Sequence, residues 1–406
     1  MTALSEVLAP LPTTMPGLEE LRIDLHQHPE LSSHETRTNA KLSGLLTGFG
    51  YTVHEVGGGI VGVLANGDGP TVLMRSDTDA LPVTEQSGLP WASTATAVDD
   101  SGNTVGLMHA CGHDVHMASL IGAAELLARG RAFWKGTFIA LFQPAEETAA
   151  GAKAMVAAGL TDVIPTPDVA LAQHVFGMEA GAVFIAPGRI MACADSIRVT
   201  VHGVGSHGSM PNLGVDPVVV AAAIVQRLQG IVSRELAPGT QAVVTVGSVQ
   251  AGTKSNIIPD RATLLINTRA YSEEVRDAIV TAIERIVRAE CQASRCPREP
   301  EFEYYDQFPF TTNDDATTAT VTAALRAHFG DDRVRELERL AGSEDFSTIP
   351  AAFGTPYTFW GFGGFPAGEQ PGNHSPFFAP VQQPTLSTGT EAIVAAALAF
   401  LAPEEH

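Results

Sequence analysis

What most limits the fold of this chain is its alternation of helix and strand patterns, and the place where that alternation stops. Strand-like apolar runs at 52–55, 60–64, 71–75, 136–142 and 168–173 are interleaved with helix-spaced runs at 36–49, 115–128 and 150–158. An earlier helix-spaced run, 18–26, breaks at Pro29. This alternation predicts an α/β sheet with helices on its faces. After Pro187 the pattern changes. A strand at 196–201 is followed by a helix that Asp216 caps, Pro217 opens and about Arg234 ends. Strands at 241–249 and 262–270, a helix at 273–290 and a strand at 301–306 complete a β-α-β-β-α-β order, the ferredoxin-like split. The α/β character returns after Thr311, with helices at 316–329 and 386–401 and a strand at 357–360. The expectation is a catalytic α/β domain in two segments, 1–187 and 304–406, interrupted by a smaller α+β domain at 188–303.

Charge and cysteine content narrow the function classes. Lys and Arg number 24 against 45 Asp and Glu, a net charge of −21 over 406 residues. A surface that acidic repels phosphate backbones and no basic stripe is present, so nucleic-acid binding is excluded as the main function. The longest apolar run, near 393–401, is too short to span a bilayer. The first residues carry no basic n-region and no signal-peptide core. Cys111, Cys193, Cys291 and Cys296 form no C-x-x-C pair and suit a reducing compartment. A cytoplasmic protein with neither membrane nor nucleic-acid partner is expected.

The chemically capable residues gather at strand ends. MRSDTDALP follows the strand ending near Arg75, QPAEE follows the strand ending at Phe142, and His174 comes straight after DVALAQ. Open α/β sheets bind ligands beyond the carboxyl ends of their strands. In HACGHDVHMASL, Cys111 and His113 flank a glycine, and a thiolate with an imidazole suits zinc or another first-row transition metal. A lone C-x-H is in most proteins a buried cysteine beside a core histidine. Here Glu146 and Glu147 add adjacent carboxylates, one able to bind metal while the other faces its water, and His174 adds an imidazole. His374 in GNHSPF is the best remaining candidate for a second metal. Two other readings stay open on these residues: a thiol enzyme with Cys111 as nucleophile and His113 as base, and an inactive binding protein on the same scaffold.

Other signals point away from chemistry. His26 and His28 lie on a helix-spaced run, where residues two apart face different ways, which argues a structural role. His109 and His116 are read as supporting residues, and His34, His54, His202 and His328 as having no role in the site. The G-x-G-x-x-G at 57–62 leads into a strand pattern and reads as a turn, not a dinucleotide fingerprint. No G-x-S-x-G or G-K-[ST] occurs. Phe362, Phe365, Phe377 and Phe378 surround His374 in sequence and suit either an apolar acyl pocket or core packing.

Taken in order, LHQHPELSSHE, MRSDTDALPV, HACGHDVH, QPAEE, GVGSHGSMP, SNIIPD, GSEDF and NHSP resemble the di-metal amidohydrolases of metallopeptidase family twenty, amidohydrolase subfamily. That group includes hippurate hydrolases, N-acyl-amino-acid aminoacylases and plant auxin-conjugate hydrolases, and the resemblance covers essentially the whole chain. It implies a catalytic domain with a mixed sheet flanked by helices, holding two divalent metals (Zn, Mn, Ni or Co), and a ferredoxin-like lid that forms a homodimer. It implies metal ligation by Cys111, His113, Glu147, His174 and His374, with Cys111 bridging, and Glu146 as general base and acid. Asp77 matches the aspartate that orients a ligand histidine. Arg75 stands where more distant peptidases of the family have a histidine ligand, so His113 is expected to fill that place. The resemblance also implies that His207, on the lid, donates to the oxyanion in the partner subunit's active site, with Asn256 as a second polar contact. Arg269, in a predicted lid strand, is a candidate for holding a substrate carboxylate; a solvated strand edge is its other reading. The implied reaction is hydrolysis of an N-acyl amino acid or related conjugate to a carboxylic acid and a free amino acid. Dipeptidase or carboxypeptidase action at the same site is the alternative.

Overall fold

A computed structural model describes residues 2–98, 102–369 and 371–402. The chain divides into two compact units, 1–190 with 311–339 and 345–406, and 191–310 with 340–344. The main elements of the first unit begin with α1 (Leu11–Gln27), α2 (Thr36–Gly48), β1 (Thr52–Val56), β2 (Gly59–Asn66) and β3 (Thr71–Asp77). Then come α3 (His113–Arg129), β4 (Gly136–Gln143), the short α4 (Gly151–Ala157), β5 (Val169–Glu179) and β6 (Val183–Ile185). The second unit contains β7 (Cys193–His202), α5 (Pro217–Leu228), β8 (Ala242–Ala251), β9 (Arg261–Ala270), α6 (Glu273–Ala293) and β10 (Glu301–Phe308). The chain returns to the first unit with α7 (Asp315–Phe329), β11 (Val334–Glu336), β12 (Tyr357–Phe365) and α8 (Thr385–Leu401).

The first unit is built on a mixed sheet in the order β1-β2-β4-β3-β5-β12-β6-β11. Its centre, β4-β3-β5-β12, is parallel, whereas β1–β2, β2–β4 and β12–β6 are antiparallel. Parallel strands covered on both faces read as continuous apolar runs. In β4, GTFIALFQ, every residue but Thr137 is buried. Helix α3 packs against α1 and α8. It is apolar around most of its circumference, as a helix enclosed on several sides must be, with Val115, Leu120, Ile121 and Leu126 buried. The parallel register sets Asp77 beside Gln143 and His174 beside Gly361. The polar residues at the carboxyl ends of the central strands therefore emerge along one rim of the sheet.

Differences from the sequence expectation have local causes. Strand β5 runs on to Glu179, so His174 lies inside it; parallel pairing with β12 continues as far as Phe365 and keeps the segment extended. Helix α1 starts at Leu11, earlier than its apolar spacing suggests, with Pro12 in the first turn where no N–H is needed. Gly57 and Gly58, with φ of 55° and 88°, make the two-residue hairpin between β1 and β2. The glycine-rich stretch is thus a turn and a strand.

In the second unit, four antiparallel strands in the order β8-β9-β7-β10 carry α5 and α6. Val220, Ile224 and Leu228 of α5 and Ile279, Ile283 and Val287 of α6 share one core with Ile197, Val199, Leu264 and Ile266. Asp216 caps α5 by accepting the Val218 N–H at 2.9 Å. The helix ends at Leu228, short of Arg234, and a separate π-type turn covers Ile231–Glu235 after Gly230. The unit changes at 190/191 and 310/311, because the departing strand Gly188–Met191 pairs with the returning strand Thr311–Asn313. Residues 340–344 also belong here: Ser343 donates through Oγ to the Ala192 carbonyl at 2.8 Å. Among the described residues no helix is long and apolar enough to cross a membrane.

Candidate metal centre

The loop entering α3 sets the first two donors. Gly112 caps the helix with φ of +80°, and a Cβ there would sit 2.4 Å from Val175 Cγ1. Only glycine makes this turn against β5, and it leaves Cys111 and His113 converging. One donor atom each from Cys111, His113 and Glu147 lies within 4.8 Å of the others. His113 donates through Nδ1 to the Asp79 carbonyl at 2.8 Å, which aims Nε2 at Glu147 Oε1, 3.9 Å away. His174 donates through Nδ1 to the Val175 carbonyl at 2.8 Å, and its Nε2 lies 3.4 Å from Cys111 Sγ. His374, in the loop after β12, has φ of +69° and its amide donates to the Ala110 carbonyl at 2.8 Å. That hold brings His374 Nε2 to 3.2 Å from Glu147 Oε2. All five candidate ligands therefore meet in the first unit, linked through Cys111 and Glu147. Glu146 is buried on the loop after β4, with a carboxylate oxygen within 4.8 Å of one from Asp345.

A second set of buried charges supports this group. Arg75 donates to Gln143 Oε1 at 2.9 Å and to Asp77 Oδ2 at 2.9 Å, and lies 3.4 Å from Asp345 Oδ1. It is a fixed cation beside the cluster, with no lone pair to offer. The closest histidine contact of Asp77 is with His116, at 2.6 Å through Nδ1, whereas His113 Nε2 is 3.6 Å away. His116 Nε2 accepts the Val175 N–H at 2.7 Å, so both of its nitrogens are engaged. Asp77 thus reaches the candidate ligand His174 through His116 and the Val175 backbone. Asp79 accepts the Glu147 N–H at 3.0 Å through Oδ2, and Glu35 accepts the Ala145 N–H at 2.8 Å. Sequence reading passes over both carboxylates as site residues. Their signals are the two-residue spacing of Asp79 from Asp77 at a strand end and the last residue of LHQHPELSSHE.

The electrostatics test whether metal fits. Against burial, which alone would lower it, Asp77, Asp79 and Glu147 push His113 up to about 10. Burial and the neighbouring Glu147 and Glu146 carboxylates push the Cys111 thiol well up, while burial holds His174 well below the usual histidine range, as a neutral imidazole. The pocket concentrates negative charge and stabilises whatever cation enters it, a proton included. His113 Nε2 and Glu147 Oε1 are buried with no hydrogen-bond partner. These two ligand atoms lie 3.9 Å apart, about 0.5 Å wider than the ~3.4 Å that tetrahedral bonds of about 2.1 Å would span, so a small inward shift would let one divalent ion take both. The thiolate, imidazole and carboxylate set is one that transition metals take. The residues fit.

The remaining candidates lie elsewhere. His207 is exposed on the short strand Ser206–His207 of the second unit, paired with Ile257–Ile258, and the Asn256 carbonyl accepts the Gly208 N–H at 2.8 Å. Arg269, half-buried in β9, donates to Asn267 Oδ1 at 3.0 Å and Ser343 Oγ at 2.5 Å. Phe362, Phe365 and Phe378 are buried core residues, and Phe377 alone of the four is exposed. His26 is buried between Asp114 and Glu85, each at 3.1 Å, and His28 caps the end of α1.

A mixed sheet presenting thiol, imidazole and paired carboxylates along one rim defines a metallohydrolase-type centre. The chain belongs to peptidase family M20/M25/M40, whose model matches residues 73–399. It is 37% identical over 340 residues to an N-acetylcysteine deacetylase of Bacillus subtilis, covering 81% of this chain and 84% of the relative. It is 36% identical over 338 residues to the hippurate hydrolase of Campylobacter jejuni, with 81% and 83% covered. Among solved structures it is similar to the Bacillus subtilis YXEP protein, described as a dinuclear metal binding peptidase of the M20 family. The TM-score there is 0.75 at 30% identity, covering 95% of this chain and 98% of that one.

Proposed function

We propose that this chain is a two-metal amidohydrolase that cleaves N-acyl amino acids or related conjugates to a carboxylic acid and a free amino acid. The observation that carries the reading is the meeting of Cys111, His113, Glu147, His174 and His374 beside a buried Glu146, in a chain of this family. Those five residues would hold two divalent ions (Zn, Mn, Ni or Co), whose chemistry when bound would be to polarise the substrate carbonyl and to lower the pKa of water toward 7. Glu146 takes the proton of the attacking water and delivers it to the leaving nitrogen. Asp77, through His116, keeps the His174 segment in place for this step.

The second unit acts as a lid and as the dimer interface. Of the eleven exposed large hydrophobics among the described residues, eight lie there, including Met210, Leu213, Val219 and Ile257. A second copy of the chain is the partner assigned to cover these side chains. His207 accepts the Ser209 N–H through Nδ1 at 3.2 Å, so its neutral ring carries the proton on Nε2. That N–H donates to the oxyanion in the partner subunit's site, with Asn256 as a second contact and Arg269 holding the substrate carboxylate. The four cysteines are free thiols, which supports a cytoplasmic setting.

The test is amine release from acetyl, benzoyl, long-chain acyl and indole-acetyl amino acids, with dipeptides beside them, after reconstitution with each metal in turn. Glu146→Gln should retain its metal and lose about 10²–10⁴-fold in turnover; near-normal kcat would remove Glu146 from its role. Activity that survives full metal removal but not thiol alkylation would make Cys111 the nucleophile and overturn the metal reading.

A further inference from the structure

The loop that carries Glu146 is held in an unfavourable shape. Ala145 and Ala149 have φ of 47° and 52°, the left-handed region that residues with a Cβ avoid. The Ala145 carbonyl is fixed by the Ala150 and Gly151 N–H groups at 3.2 and 3.1 Å. Its N–H is fixed from outside the loop, by Glu35 Oε1 at 2.8 Å. On the other side of Glu146, the Glu147 N–H is fixed by Asp79 Oδ2 at 3.0 Å, and Asp79 is steadied by the Ser32 hydroxyl at 2.7 Å. Two carboxylates thus grip the loop before and after the base, at the Ala145 and Glu147 N–H groups. Packing does not do this alone: a cleft of about 500 Å³ lies against the back of the loop, lined by Glu35, Asn39, Gly58, Pro144, Ala145 and Gly151.

We infer that Glu35 is a positioning residue, whose hydrogen bond to the strained Ala145 backbone sets the direction in which Glu146 is presented to the substrate. The inference rests on the amidohydrolase reading of this site. Glu35 is 3% exposed, and its side chain bonds to the Ala145 backbone rather than to a candidate metal ligand, which separates its role from metal binding. Burial pushes its carboxyl up to about 7. Charged or protonated, it keeps an oxygen to accept the Ala145 N–H, and so does a glutamine amide.

The test compares Glu35→Ala, Glu35→Gln and Glu35→Asp, the last a carboxylate too short to reach Ala145. Alanine and aspartate should lose about 10²-fold in kcat, the cost of misplacing a catalytic group by roughly 1 Å, with KM and metal content unchanged. Glutamine should restore turnover to within a few-fold. Hydrogen exchange of the 143–150 segment in the metal-free protein should quicken in the alanine and aspartate variants and not in glutamine. In an Ala145→Gly background, where the positive φ carries no Cβ penalty, the Glu35→Ala loss should shrink several-fold. Wild-type kcat in Glu35→Asp, a glutamine variant as impaired as aspartate, or an undiminished loss in the Ala145→Gly background would each overturn the inference. If the alanine variant does not fold, the glutamine and aspartate pair decides. A wild type that cleaves no amide would defeat the functional reading instead, and the exchange comparison would still test Glu35.

Discussion

Raising the pH should dismantle one specific clamp, the one around His26. Its imidazole is 1% exposed and lies 3.1 Å from Asp114 on one nitrogen and 3.1 Å from Glu85 on the other. Arg22 also reaches Asp114, at 3.1 Å. Asp114 is the neighbour of His113 at the start of α3, and Glu85 accepts the Ser93 N–H in a loop whose Gln86 amide donates to the Pro376 carbonyl, beside His374. The protonated ring therefore ties the first turn of α3 to a loop that reaches the segment after His374. Burial alone would lower its pKa, but Asp114 and Glu85 outweigh it and push His26 from 6.5 up to about 9. At about 1.4 kcal/mol per pH unit, that difference contributes on the order of 3 kcal/mol to stability. The pKa is raised on folding, so the contribution is complete below pH 6.5, declines as pH rises, and is gone above about 9. Urea denaturation of the wild type and His26→Gln across about pH 6–10 measures it, because groups that do not interact with His26 cancel on subtraction and its partners Asp114 and Glu85, held below the usual carboxylate range, stay ionised there. The stability gap should be near ~3 kcal/mol at about pH 6 and close above about pH 9. Parallel curves, or a gap that widens with pH, would refute the assignment of a charged His26.

Two further perturbations address the turn and the interface. Gly112→Ala places a methyl 2.4 Å from Val175 Cγ1 at φ of +80°. It should cost about 1–3 kcal/mol and release metal on dialysis, and an unchanged melting temperature with full metal content would show that the turn tolerates a Cβ. His207→Ala should reduce turnover without loss of metal. Mixed with Glu146→Gln, it should regain activity through hybrid dimers, and no recovery would count against donation across the interface.

How far the chain can be read before its fold is known depends on the range of the interactions involved. The strands at 52–55, 60–64 and 136–142 and the helices near 36–49 and 316–329 are visible because apolar spacing is a local property. They stand with ends moved by a residue or two. Cys111, His113, Glu146, Glu147, His174 and His374 are also legible as candidates, since strand-end position and side-chain chemistry can be read along one dimension. The supporting role expected of His116 acquires its partners only in three dimensions: its ring spends both nitrogens on Asp77 and Val175, whereas His113 leaves Nε2 without a hydrogen-bond partner. Three dimensions also tell Phe377 from Phe362, and show that the link of Asp77 to His174 runs through His116.

The sequence by itself determined the class of fold and offered the candidate donor set, because these follow from residue type and short-range spacing. Tertiary structure alone decided the strand order β4-β3-β5-β12 that brings residues from 71 to 365 to one rim. It also decided that Glu35 and Asp79, 110 and 68 residues before the positions they grip, hold the N–H groups of Ala145 and Glu147, the residues on either side of Glu146. Hydrogen bonds between residues so far apart depend on which strands pair, and no local pattern records that choice.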